Sequence, residues 1–270
     1  PIIRVLVTHM HPDHVGLAHW LCARWQAPLY MSATDYYTAR LGVQQAISGA
    51  GGQAAADFFA SHGLTDPLAL RQISQRTDYY RQLVPAVPDQ FRRLMDGQSL
   101  ALGQGPNRTP WHLVSGFGHA PEHIALHAPA RGILIAGDMV LPRISTNVSV
   151  YDNDPESDAL GLFLESIDKF KPLPADTLVL PSHGKPFKGL HTRIEQLHAH
   201  HRDRLAEVLA ACRRQPQSAA DVLKVLFSRA LDAHQVTFAM GESIAHLNWL
   251  MHRGQVRRQR DAEGVHRFSA

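Results

Sequence analysis

The run Thr8-His9-Met10-His11-Pro12-Asp13-His14 sets three imidazoles and one carboxylate within six positions, in the pattern H-x-H-x-D-H. Imidazole with carboxylate is the donor set that holds zinc and its first-row neighbours at an open, reactive site. In an extended segment, side chains at i and i+2 point the same way, so His9 and His11 are expected to grip one cation together. Asp13 and His14, just past the turn that Pro12 favours, are expected to face a second cation. The chain holds 18 histidines in 270 residues, so chance clusters occur. His198, His200 and His201 are read as one of these, since they lie in a charged helical stretch, Ile194 to Val208, where a solvated face is expected. The first motif differs because its four residues directly follow an apolar run, Ile2-Ile3-Arg4-Val5-Leu6-Val7, that reads as a buried strand.

Other short apolar runs also end on a metal-capable residue. Trp111-His112-Leu113-Val114-Ser115-Gly116-Phe117-Gly118 leads to His119, Gly132 to Gly137 leads to Asp138, and Asp176 to Ser182 leads to His183. Each run reads as a strand buried on one or both faces. Each ends in a Gly-flanked or Pro-Ser loop that lets the backbone turn sharply and approach a site. Together the strand ends deliver His9, His11, Asp13, His14, His119, Asp138 and His183 to one edge of a sheet system.

This set resembles the metal-binding signature of the metallo-β-lactamase superfamily, and most of all its binuclear hydrolases such as glyoxalase II and the lactonases. The contexts Gly118-His119-Ala120-Pro121-Glu122-His123, Gly137-Asp138 and Ser182-His183-Gly184 match as well. The resemblance covers about residues 1–190 and implies an α/β fold, the αββα sandwich. It implies that His9, His11 and His119 hold one metal, that Asp13, His14 and His183 hold the other, and that Asp138 bridges them. Two divalent ions are expected: zinc by preference, with iron and manganese also suited to these donors. A water shared by two such cations loses a proton near neutral pH, because the metal charge lowers its pKa from about 15.7 towards 7. The resulting hydroxide attacks a carbonyl or phosphoryl centre. Asp13 is read as a catalytic residue too, relaying a proton to the leaving group. Several strands precede the first motif in the family and one does here, so N-terminal strands of the sandwich are read as missing from this chain.

Net charge is +3, and the basic residues are spread rather than blocked, which argues against nucleic acid as the main partner. Cys22 and Cys212 are the chain's two thiols and read as buried and free. Two thiols in this length point to a reducing, cytoplasmic compartment. No apolar stretch is long enough to span a membrane.

A segment from about residue 32 to 96 reads as a helical insertion in the catalytic domain. It breaks at Gly49-Ala50-Gly51-Gly52, His62-Gly63 and Pro85-Ala86-Val87-Pro88. Its aromatic pairs, Tyr36-Tyr37, Phe58-Phe59 and Tyr79-Tyr80, read as local core. Arg143, close to Asp138, is a candidate for binding a substrate carboxylate or phosphate, and His123 and Tyr151 are further candidate substrate contacts. Residues 191–270 read as a separate domain. A long charged helix from Thr192 to Arg214, a capped helix from Ser218 to Ser228, and a helix from Gln235 to His252 with Phe238, Ile244, Leu247 and Leu250 on its apolar positions precede a basic hairpin. This tail resembles the winged-helix tail of some superfamily members. The leading expectation is a hydrolase of a small ester or thioester, with a homodimer left open. The rivals are an endoribonuclease with a winged-helix tail and a non-catalytic effector that kept its metal site.

Overall fold

The computed structural model describes residues 1–45, 51–227 and 231–270. The break expected at Gly49-Ala50 and the Ser228 end of the second tail helix lie outside the described residues. The chain divides into two compact units.

The first unit comprises residues 1–46, 80–146 and 162–197. Strand β1 (Val5–Leu6) leads through helices α1 (Pro12–Val15) and α2 (Ala18–Trp25) to β2 (Leu29–Met31), which α3 (Ala33–Val43) follows. After α4 (Gln53–Ser61) and α5 (Pro67–Gln75) of the second unit, α6 (Tyr79–Leu83) leads back to β3 (Phe91–Arg93). These three strands pair in parallel, in the order β1-β2-β3. Parallel neighbours need helical crossovers, and α1 and α2 supply the first. The second sheet is built from β4 (Ser99–Leu102), β5 (Thr109–Gly116), β6 (His123–Ala128), β7 (Ile133–Gly137) and β8 (Leu178–Pro181), in that order. It is antiparallel as far as β7, and β8 joins in parallel after a crossover that carries α7 (Ala159–Asp168).

Strand alternation explains the layers. On β1 and β2, Val5, Leu29 and Met31 pack with Val15, Ala18, Cys22, Tyr36 and Ala39 from the helices. Their neighbours Leu6 and Tyr30 point the other way, into a cluster with Leu113, Ile124 and Leu126 of the second sheet. The two sheets therefore share one apolar layer, as the α/β sandwich reading requires.

The first strand is shorter than expected. Only Val5 and Leu6 pair, and Ile2 and Ile3 are 36% and 55% exposed. The cause is register: β2 begins opposite Val5, so no β2 residue lies beside the residues before it. Each aromatic pair splits, because adjacent helical positions face different ways. Tyr36 is buried and stacks on Phe91 at 3.9 Å, while Tyr37 is 60% exposed. Tyr80 and Phe59 bury as well. Cys22 and Cys212 are both free and buried.

The second unit comprises residues 47–79, 147–161 and 198–270. It holds α4, α5, most of α8 (Leu190–Arg214), α9 (Ala219–Leu226), α10 (Ala233–His252) and the antiparallel hairpin of β9 (Arg257–Arg260) and β10 (His266–Ser269). The expected cap at Ser218 is a full capping box: Ser218 Oγ accepts the Asp221 N–H, and the Asp221 carboxylate accepts the Ser218 N–H. Gly254, with φ +66°, follows the end of α10 in the left-handed conformation that glycine takes there without strain. Ile244, Leu247 and Leu250 are buried on α10 as expected, but Phe238 is 37% exposed. No described helix is long and apolar enough to cross a membrane.

The expectation of a solvated His198-His200-His201 face holds for His200, which is exposed, and needs correction at His201. His201 is 1% exposed, and its ring lies 5.6 Å from that of the equally buried His246 on α10. Periodicity placed His201 on a helix face; the packing of α10 is what turns that face inward. Burial pushes His201 down to about 3 and His62 and His246 to about 4. These imidazoles stay neutral in the fold but take up protons below about 6.5 once unfolded. Glu242 has the opposite sign, since burial pushes it up to about 7. Three histidines against one carboxylate give a net loss of stability as pH falls from about 6.5 towards 4. The melting temperature of chelator-treated protein is therefore expected to drop across this window, and a flat profile would contradict the assignment.

Candidate metal centre

The first motif lies on a bend and a helix start rather than on the extended segment expected. His11, with φ −60° and ψ 146°, is the N-cap of α1, and Pro12 occupies its first turn, where a missing N–H costs nothing. The bend brings His9 and His11 together, and the helix turns Asp13 and His14 the other way. His119 follows β5, Asp138 directly follows β7, and His183 follows β8.

All seven expected ligands converge. His9 Nε2, His11 Nδ1 and His119 Nε2 form a triangle with sides of 3.0, 3.1 and 3.2 Å. Asp13 Oδ2 lies 3.4 Å from His14 Nε2 and 3.3 Å from His183 Nε2. Asp138 Oδ2 sits between the two groups, at 3.3 Å from His119, 3.5 Å from His14 and from His183, and 3.9 Å from His9. Ligands bound at about 2.0–2.1 Å in a tetrahedron stand about 3.3 Å apart, so these spacings fit cation ligation. Asp138 Oδ1 and His14 Nε2 are buried without a well-formed hydrogen bond. Lying where imidazoles and carboxylates converge, these two atoms are placed to meet an ion.

Charge states agree. Burial, with His119 and His14 adding to it, pushes His11 down to about 3, and burial holds His9 well below its usual range. Both are therefore neutral, the form that ligates. Burial works against ionising Asp138, but the neighbouring His119 and His14 outweigh it and hold the carboxyl far below the usual range. Burial also pulls His14 down, but Asp13 and Asp138 more than offset it and leave it at about 9. That proton must leave before His14 can ligate, so a cation entering between His14 and the two carboxylates would displace it.

The candidate substrate contacts fall in different places. His123 is fully buried, its ring 5.0 Å from that of His9, and its Nε2 accepts the Asp138 N–H at 3.2 Å. That is a supporting position behind the ligands and a correction to the substrate-contact expectation, because no substrate reaches a fully buried ring. Arg143 is exposed on the loop after Asp138. Gly184, next to His183, packs against Pro142 of that loop. Tyr151 belongs to the second unit, where burial pushes its phenol up to about 12.

Two residues at this site escaped the sequence reading. Asp35 is fully buried; its carboxylate accepts the N–H of Met10 at 2.7 Å and the N–H of Glu122. Tyr80 donates its hydroxyl to the Met10 carbonyl at 2.6 Å. The one sequence signal at Asp35 is Ser32 three residues before it, whose Oγ accepts the Asp35 N–H, and that reads as an ordinary helix cap.

The sequence model described as "Metallo-beta-lactamase superfamily" matches residues 1–183, and one described as "Metallo-beta-lactamase-like, C-terminal domain" matches residues 205–270. The chain belongs to the metallo-beta-lactamase superfamily. A beta-lactamase domain protein from Burkholderia ambifaria is 51% identical over all of this chain and 75% of its own, with a TM-score of 0.91. A metallo-beta-lactamase family protein from Thermus thermophilus is 27% identical over 99% of this chain and 79% of its own, with a TM-score of 0.80. The Bacillus subtilis (strain 168) protein named "Probable metallo-hydrolase YqjP" is 28% identical over 52% of this chain. That match spans 44% of the curated relative's length. The His/Asp clusters of the chain are of the kind that bind divalent metal.

Gly137 tests the support behind the ligands. Its φ is +55°, and a Cβ placed there would stand 2.1 Å from His123 Nε2. The left-handed backbone alone costs a non-glycine residue about 1–2 kcal/mol. Gly137→Ala is expected to lose at least that much stability in urea unfolding and to weaken metal binding by displacing His123. Unchanged stability and metal affinity would contradict the packing described.

Proposed function

We propose that this chain is a two-metal hydrolase of a small ester or thioester, similar in chemistry to glyoxalase II. The observation that carries the reading is the position of Asp138 Oδ2 between two ligand triads, within 3.3–3.9 Å of His9, His14, His119 and His183. His9, His11 and His119 hold one divalent ion, Asp13, His14 and His183 the other, and Asp138 is shared. Zinc is the first choice, and iron or manganese also suit the donors. Ions bound there supply Lewis acidity and lower the pKa of water towards neutrality.

The chain's own groups do the rest. The Asp13 side chain is 58% exposed, so it reaches solvent and substrate while keeping one oxygen between His14 and His183. Its outward oxygen would take the proton released by the attacking water and pass it to the departing alcohol or thiol. Arg143 offers a planar, charged fork to a carboxylate or phosphate on the substrate. The rival endoribonuclease reading draws on the basic hairpin, but Arg258 and Arg267 there are already held by Glu156 and Asp221. Buried free cysteines suit a cytoplasmic setting.

Metal-loaded protein is expected to contain about two ions per chain and to hydrolyse members of an acyl-CoA, acyl-glutathione and lactone panel. Chelation abolishes that activity and metal restores it. Cleavage of single-stranded RNA alone would favour the nuclease, and inactivity on every substrate with both metals bound would favour a binding protein. Asp13→Ala is expected to cut turnover by about 10²-fold or more, the usual contribution of proton transfer. Full activity with both metals retained would remove the role given to Asp13.

A further inference from the structure

The two triads are held very differently. Asp13 and His183 have side chains 58% and 46% exposed, and the contacts of Asp13 Oδ2 are with other ligands. His9, by contrast, is fully buried, and the backbone around the three-histidine triad is tied down from outside it. Met10, between His9 and His11, gives its N–H to Asp35 Oδ1 and receives the Tyr80 hydroxyl on its carbonyl. Glu122, three residues after His119, gives its N–H to the other oxygen of Asp35. One carboxylate therefore spans the two loops that carry all three imidazoles.

We propose that Asp35 is a positioning residue that sets the cation affinity of the His9-His11-His119 triad, separately from that of Asp13-His14-His183. Its own position is fixed in the first turn of α3, where its N–H donates to Ser32 Oγ at 3.3 Å and the neighbouring Thr34 hydroxyl donates to Glu122 Oε2 at 3.0 Å. The carboxylate accepts from two peptide N–H groups and lies in the electrostatic reach of His119. Keeping such a group in the core is costly, since burial pushes it up to about 6 against the pull of both N–H donors. Deleting it leaves both N–H groups buried and unpaired and lets the loops part. A triad whose nitrogens stand 3.0–3.2 Å apart before any cation enters is preorganised, and preorganisation appears directly as affinity.

The inference rests on the two-subsite reading, and the test separates them. Each subsite is isolated in the full chain by removing a ligand from the other: His183→Ala leaves the three-histidine triad, and His119→Ala leaves the Asp13 triad. Chelator-stripped protein is titrated with Co(II) and followed by its visible absorbance. Asp35→Asn keeps one acceptor oxygen but sets an amide NH2 against a backbone N–H. In the His183→Ala background it is expected to weaken Co(II) binding by about 10–100-fold, the usual effect of losing a group that orients metal ligands. In the His119→Ala background affinity is expected to stay unchanged. Equal weakening in both backgrounds, or none in the first, overturns the proposal. If Asp35→Asn shows no melting transition, Asp35→Glu, which keeps the carboxylate but moves it by one methylene, carries the same comparison with the same overturning results. A parent chain that takes up one Co(II) contradicts the two-cation reading, while the Asp35 comparison in the His183→Ala background still decides this one.

Discussion

Three ring nitrogens that meet within 3.2 Å of one another cannot satisfy each other. A single proton at their meeting point serves one pair and leaves the third facing a lone pair or another hydrogen. Holding this arrangement in a buried place costs free energy unless a small cation sits at the centre. The carboxylate of Asp138 adds the complementary charge beside it. Much of the surrounding structure follows from the need to keep these donors converged despite their mutual repulsion.

The sandwich meets that need by ending strands at one place. β5, β7 and β8 each stop just before a candidate ligand, so the position of each is inherited from the ladder that anchors its strand. The loops are then tied across one another: Ile124 N–H donates to the Thr8 carbonyl, Ser182 N–H to the Gly137 carbonyl, and Thr146 Oγ1 to the Asp138 carbonyl. Asp35 and Tyr80 complete the set from α3 and α6. Backbone groups rather than ligand side chains take most of these bonds. The side chains are thus left with their lone pairs directed inward, as a metal site requires.

Much of the centre was legible in the sequence, because the chemistry needs particular residue types at fixed offsets. H-x-H-x-D-H is a local pattern, and His119, Asp138 and His183 each close an apolar run that reads as a strand. What the sequence hid depends on packing between distant segments. Asp35 acts on Met10 and Glu122, 25 and 87 residues away, through backbone atoms that have no residue type to recognise. His201 looked solvated because periodicity identifies a helix face without saying what covers it. His123 looked like a substrate contact because it is near His119 in sequence, yet strand alternation on β6 turns it inward beneath Asp138. The first strand looked long because Ile2 and Ile3 are apolar, whereas its extent is set by where β2 starts.

The central claim is that two cations share Asp138, and diffraction tests it most directly. Crystals of metal-loaded protein measured at the absorption edge of the bound metal should show two anomalous peaks about 3.5–4 Å apart. One should lie among His9, His11 and His119, the other among Asp13, His14 and His183, with the Asp138 carboxylate between them. A single peak at saturating metal, or two peaks that do not flank Asp138, would contradict the account.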